Sequence, residues 1–249
     1  MDWNSVFWLI VILLVLLLLN RWITAHVQGV GLLLSNNQSV AIWLYFFLFL
    51  PGIFLHELSH YVMALLLRVN VGNFSLWPQK KGKELVLGSV QVRGVGPLRH
   101  SLVGAAPLLF GSLAVLIIGR FLHFDALGSE MMRGDLTAVL DILSGSIAMP
   151  DFWLWLYLLF AIANAMMPSA ADRVYWLPVL LFFTAIIAVG VTMGIITTVP
   201  DTVQTVGGNF LAFMASALGI AVVVDVFFVA FIFILEMILN VTTNRRVQY

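Results

Sequence analysis

His56 and His60 stand four residues apart, with Glu57 directly after the first, in the run Leu55-His56-Glu57-Leu58-Ser59-His60-Tyr61. On a helix, residues at that spacing share one face. Two imidazoles so placed can bind one zinc ion, and the glutamate beside them can take a proton from an attacking water. The run is an H-E-x-x-H motif in unusual surroundings: Val40 to Leu50 are almost wholly apolar, and Val62 to Leu67 wholly so. Ionisable groups are costly in lipid, so three of them in one apolar span point to a functional site. A chance match on a buried core helix is the plainer alternative, but it leaves those three side chains unexplained.

Two histidines do not complete a catalytic zinc site, which usually takes three protein ligands and a water. The chain has no cysteine, so the remaining ligand must be histidine or carboxylate. Asp172 is the leading candidate. It is expected at the same end of its span as His56, it follows Pro168, and Asn164 lies eight residues before it. Its plainer role is to pair with Arg173. Asp225 and Glu236 are rivals, although a lone buried aspartate more naturally bonds to a neighbouring helix. Zinc suits the donor set, and a two-histidine, one-carboxylate set also suits iron.

The elements that must carry these residues are membrane spans. The chain has 249 residues, 62% hydrophobic and 10% charged, against about 25% charged in a soluble domain. The expected fold is an all-α polytopic membrane protein, a single domain over residues 1–249. About six transmembrane helices are expected, near residues 6–19, 40–67, 101–118, 152–167, 176–196 and 210–239. The first reads as a retained span rather than a signal peptide, with no basic region before it and no clear cleavage site after it. Pro51 and Gly52 should kink the second. Val69, Val71, Leu85, Leu87, Val90 and Val92 alternate with smaller or polar residues, and Gln79 to Lys83 supply a turn. That pattern predicts a small β hairpin or sheet at the membrane surface after the second helix. The Gly104-Ala105-Ala106-Pro107 patch would let helices approach closely. Met132, Leu136, Val139, Leu140 and Leu143 mark one face of a short amphipathic helix resting on the bilayer.

Six spans with both termini cytoplasmic put Arg68, Lys80, Lys81, Lys83, Arg93, Arg99, Arg173, Arg245 and Arg246 inside, and only Arg21, Arg120 and Arg133 outside. The bias favours that orientation in the cell membrane. His56 would then lie roughly 16 Å from the cytoplasmic end of its span, at about 1.5 Å per residue. The formal net charge is zero, which gives no case for nucleic-acid binding.

His56-Glu57-Leu58-Ser59-His60, followed by Ala64 within a span, resembles the motif of the site-2 protease family of intramembrane zinc metalloproteases. That family pairs its H-E-x-x-H with a distant N-x-x-P-x-x-x-x-D-G motif, and Asn164 and Asp172 keep its eight-residue separation. The resemblance implies that Asp172 is the third ligand of one zinc ion per chain and that Asn164 is a polar group near the reacting carbonyl. Gly104-Ala105-Ala106-Pro107-Leu108 is similar to the family's A-G-P-L stretch, and the resemblance covers about residues 40–176. There are departures. Pro168 comes one residue late, Arg173 replaces the glycine, Phe110 stands where asparagine is common, and no PDZ domain is recognisable.

The implied activity is hydrolysis of peptide bonds in transmembrane substrates within the bilayer, with Glu57 as general base. A strand from residues 69–95 could pair with an unwound substrate by edge addition. The alternative is a catalytically silent membrane relative that binds partners, or a metal-dependent transporter. Glu57 and both histidines are kept, which argues against the first. No pair of corresponding broken helices supports the second.

Overall fold

The computed structural model describes residues 3–77, 79–81, 84–86, 88–92, 96–124, 126, 130, 133–195 and 198–247. Gly82, Lys83, Leu87, Arg93, Met132 and Ile196, used in the sequence reading, lie outside the described residues. Helix α1 covers Trp3–Ser35 and α2 Gln38–Leu66. Four strands follow, β1 Val71–Ser75, β2 Gln79–Lys81, β3 Glu84–Val86 and β4 Ser89–Val92. Then come α3 Pro97–Phe121, α4 Leu136–Ile147, α5 Phe152–Ala165, α6 Trp176–Thr192 and α7 Asp201–Thr243.

Local chemistry sets these boundaries. Asn36 adopts a left-handed conformation after α1, and the Asn37 side chain caps α2 by accepting from the Ser39 and Val40 N–H groups. Pro97 opens α3, where its missing N–H costs nothing. Pro51 lies inside α2, which continues through it as one helix. Asp135 caps α4 through the Ala138 N–H.

Among the described residues, α1, α2, α3 and α7 are long and apolar enough to cross a membrane, and α4 with α5, bent by 101°, counts as a fifth span if taken together. Against the six expected spans, four or five helices qualify on length and composition. Helix α6 is apolar but shorter than these, 17 residues or about 25 Å. Helix α1 outruns its expected end at residue 19, and beyond that point Asn20 meets α5 and His26 meets α7.

Paired contacts fix the helix directions. Tyr157 donates to the Leu48 carbonyl, Gly52 abuts Ala161, and His56 bonds the Ala165 carbonyl, so α2 and α5 run parallel. Gly104 meets Asp172 and Gly111 meets Met166, so α3 runs against α5. Ser112 faces Met214 and Gly119 faces Ile220, which makes α7 parallel to α3. Phe160 stacks on Phe228 at 3.9 Å while Asn164 reaches Asp225, as antiparallel α5 and α7 require. Helix α7 thus starts at the end of the bundle where α5 finishes, and the intervening α6 adds no net crossing. Helices α1 and α7 are also parallel, with Asn20 near the Asn164–Asp225 contact and His26 near Glu236. The start of α1 and the end of α7 lie at opposite ends of the bundle, which differs from the expected arrangement with both termini on one side.

The strands form two short antiparallel pairs rather than one sheet. Strand β1 pairs with β4 (Phe74↔Val90, Ser75↔Ser89) and β2 with β3 (Gln79↔Val86, Lys81↔Glu84). Gln79 to Lys81, expected in a turn, are strand. The ribbon folds back along α2. Phe74 lies 6.2 Å from Tyr61 between ring centroids, and Trp77 lies 6.2 Å from Trp43 and 6.1 Å from Phe46. Phe46 to Tyr61 covers roughly 22 Å of helix, so the ribbon runs beside the span and not across its end. Aromatic and branched side chains supply the packing that holds it there.

The main core lies between α1, α2, α3, α5 and α7, with Leu16, Ile23, Phe46, Phe49, Val115, Leu159, Phe160, Ala217 and Val224 buried.

Candidate metal centre

Helix α2 places His56 and His60 one turn apart, facing α5 and α3. The His56 Nδ1 lies 2.7 Å from the Ala165 carbonyl, and the His60 Nδ1 2.9 Å from the Val103 carbonyl. A carbonyl only accepts, so each Nδ1 carries a proton and each Nε2 is left to bind something else. The two Nε2 atoms are 3.1 Å apart. Asp172 closes the group, with Oδ1 3.2 Å from His60 Nε2 and Oδ2 3.7 Å from His56 Nε2. One ligand atom from each residue lies within 4.8 Å of the others.

This donor set fits a divalent metal. Two imidazole nitrogens and a carboxylate at such distances could hold one cation between them. Tetrahedral zinc with bonds of about 2.0–2.1 Å separates its ligand atoms by about 3.3 Å. The orienting carbonyls on Nδ1 are the usual outer partners of metal-bound histidines.

Asp172 sits in the non-helical stretch after α5. Its Oδ2 accepts from the Ser169 N–H at 2.7 Å, and its own N–H donates to Ser169 Oγ at 3.3 Å. Burial opposes its charge, but the His56 and His60 rings and the Ser169 N–H outweigh burial and hold the carboxyl below the usual carboxylate range. The expected alternative, an ion pair with Arg173, is absent among the described residues. Arg173 donates instead to the Ser169 carbonyl at 3.2 Å.

Small residues let the backbones come this close. Gly52, one turn before His56, lies against the Ala161 carbonyl, one turn before Ala165. Gly104 lies against the Asp172 carbonyl, and Gly111 against the Met166 side chain. A side chain at any of these positions would push α5 or the Asp172 turn away from the histidines.

Glu57 is 6% exposed, and its Oε2 has no hydrogen-bond partner among the described residues. Gly88, between β3 and β4, covers it. A Cβ on Gly88 would stand 2.6 Å from Glu57 Oε1 and 2.8 Å from Cδ. Sequence reasoning missed Gly88, whose sole signal was a glycine between two strand-like runs.

The other candidates are elsewhere. Asp225 is fully buried and bonded to Asn164, and Glu236 lies 4.0 Å from His26 on α1. Asn164 does not point at the metal group. Its Nδ2 donates to Asp225 Oδ1 at 2.7 Å and to the Phe160 carbonyl at 3.0 Å. What it shares with the site is its neighbour, Ala165.

Set against protein-family models, curated proteins and solved structures, the chain finds no match in any of the three.

Proposed function

We propose that this protein is an intramembrane zinc metalloendopeptidase of the site-2 protease type, acting on transmembrane segments in the cell membrane. One observation carries the reading: His56 Nε2, His60 Nε2 and Asp172 converge beside Glu57, a buried carboxylate with one unpartnered oxygen, at the depth of an apolar span.

His56, His60 and Asp172 would hold the zinc, which when bound supplies Lewis acidity toward a water and the scissile carbonyl. Glu57 follows His56 directly, and its unpartnered Oε2 is free to accept a proton from the attacking water. It then returns that proton to the leaving amine. The Ala165 and Val103 carbonyls keep both rings in the tautomer that leaves Nε2 available. The ribbon beside α2 brings backbone to Glu57 through Gly88, and an extended substrate segment would reach the same carboxylate.

The test is metal content of the purified full chain, followed by cleavage of a model transmembrane substrate in lipid. About one zinc per chain is expected, with cleavage abolished in Glu57→Gln while zinc is retained. A Glu57→Gln protein that cleaves as well as the native one overturns the reading. A native chain that takes up no metal does so too, and favours a partner-binding membrane protein.

A further inference from the structure

The carbonyl that orients His56 belongs to the last residue of α5, where helix carbonyls have no partner within the helix. The residue before it is held by two other helices. The Asn164 carbonyl accepts from Asn20 Nδ2 of α1 at 2.7 Å, its Oδ1 accepts from the same group at 3.3 Å, and its Nδ2 donates to Asp225 Oδ1 of α7 at 2.7 Å. Asp225 is fully buried, and its Oδ2 has no hydrogen-bond partner among the described residues. Simple packing does not need such a group. Four residues away, the same two helices meet through the stacked rings of Phe160 and Phe228. A buried aspartate in a span is costly and marks a functional role by default.

We propose that Asp225, acting through Asn164, is a positioning residue of the metal centre. Asp225 and Asn20 grip Asn164 from opposite helices and fix the rotation of the last turn of α5. That rotation aims the Ala165 carbonyl at His56 Nδ1 and so turns His56 Nε2 toward Asp172 and His60. Neither α1 nor α7 carries a ligand, yet both set the geometry of one. The inference rests on the metal-centre reading and extends it to residues that touch neither metal nor substrate.

The experiment uses the full chain in lipid nanodiscs, loaded with cobalt(II) alone, whose visible spectrum reports ligand geometry. Asp225→Leu is expected to weaken cobalt binding by about 10-fold, the low end for lost outer-shell partners, and to alter the visible bands. Asp225→Asn, whose side-chain oxygen still accepts from Asn164, is expected to keep both. Glu236→Gln changes another buried acid of α7 three turns away, and is expected to leave both unchanged. If Asp225→Leu does not fold, the pair Asn164→Leu with Asp225→Leu leaves no orphaned partner and is read in the same way. Native binding and spectrum in the Leu variant overturn the inference alone. Equal loss in Glu236→Gln also overturns it, because the effect would then be general loosening of α7. A native chain that takes no cobalt overturns the metal reading and this inference with it.

Discussion

The Nε2 atoms of His56 and His60 face each other at 3.1 Å, while each ring commits its Nδ1 to a carbonyl of a different helix. Asp172 lies within 3.7 Å of both nitrogens, so the three residues form a group that could hold one metal ion.

Removing any of the three tests that reading. His56→Ala, His60→Ala and Asp172→Ala are each expected to weaken zinc binding by about 100-fold or more, since a two-ligand remnant is a poor catalytic site. Competition with a fluorescent zinc chelator measures the change. Arg173→Ala should leave affinity within about 2-fold, because Arg173 bonds the Ser169 carbonyl and not Asp172.

A change at Gly88 tests the proposed role of Glu57 apart from that of the proposed ligands. The missing side chain of Gly88 makes room for Glu57 at a spacing of 2.6 Å. Gly88→Val is expected to displace the carboxylate and lower cleavage by about 10²–10⁴, the range a positioned general base contributes, with zinc content unchanged. Parallel metal analysis and substrate cleavage on one preparation decide it, and loss of zinc in the variant would count against the assignment.

Gly52 tests the contact between α2 and α5. A larger side chain there meets the Ala161 carbonyl, which cannot yield without moving the helix. In lipid, close backbone approach at small residues is a main source of helix association. Gly52→Val is expected to cost about 1–3 kcal/mol, as overpacking does, and to lower the thermal midpoint. Its zinc affinity should fall as well, because Ala165 moves with Ala161. Gly145, with nothing within 4 Å of an added Cβ, should tolerate the same change.

Of the candidate group, the histidine pair was legible from local i, i+4 spacing, while Asp172, distant in sequence, was reached from its expected end of the span and its place after Pro168; the structure brings the three together. Asn164 was expected beside the reacting carbonyl, and it bonds instead to Asp225 and the Phe160 carbonyl. Its bond to Asp225 joins positions 61 apart, and no periodicity connects them. The ribbon was read as strand from its alternation, yet its course along α2 depends on Phe74 meeting Tyr61 and Trp77 meeting Trp43, which are long-range aromatic contacts. The count of six rested on hydropathy alone. Helix α6 is apolar but shorter than the four candidate spans, and α7 is parallel to α3 rather than opposed to it. The charge bias assumed that count. Arg245 and Arg246 follow α7, at the end of the bundle opposite Arg68 and Arg173.

That last point can be tested directly, because the chain has no cysteine and a single introduced thiol is unambiguous. Asn36, between α1 and α2, and Arg245, after α7, lie at the same end of the bundle, and Arg173, after α5, lies at the other. In sealed, uniformly oriented vesicles, Asn36→Cys and Arg245→Cys are expected to react with a membrane-impermeant maleimide from one side, and Arg173→Cys from the other. Six alternating spans would instead pair Arg245 with Arg173 and set Asn36 apart. The result also fixes the face toward which the metal group lies. His56 is ten residues from the end of α2 at Leu66, about 15 Å along the helix, and that end is the one Arg173 shares. A label reaching Arg173→Cys only from the non-cytoplasmic side would mean that water and substrate approach the histidines from there, reversing the orientation that the basic residues imply when six spans are assumed.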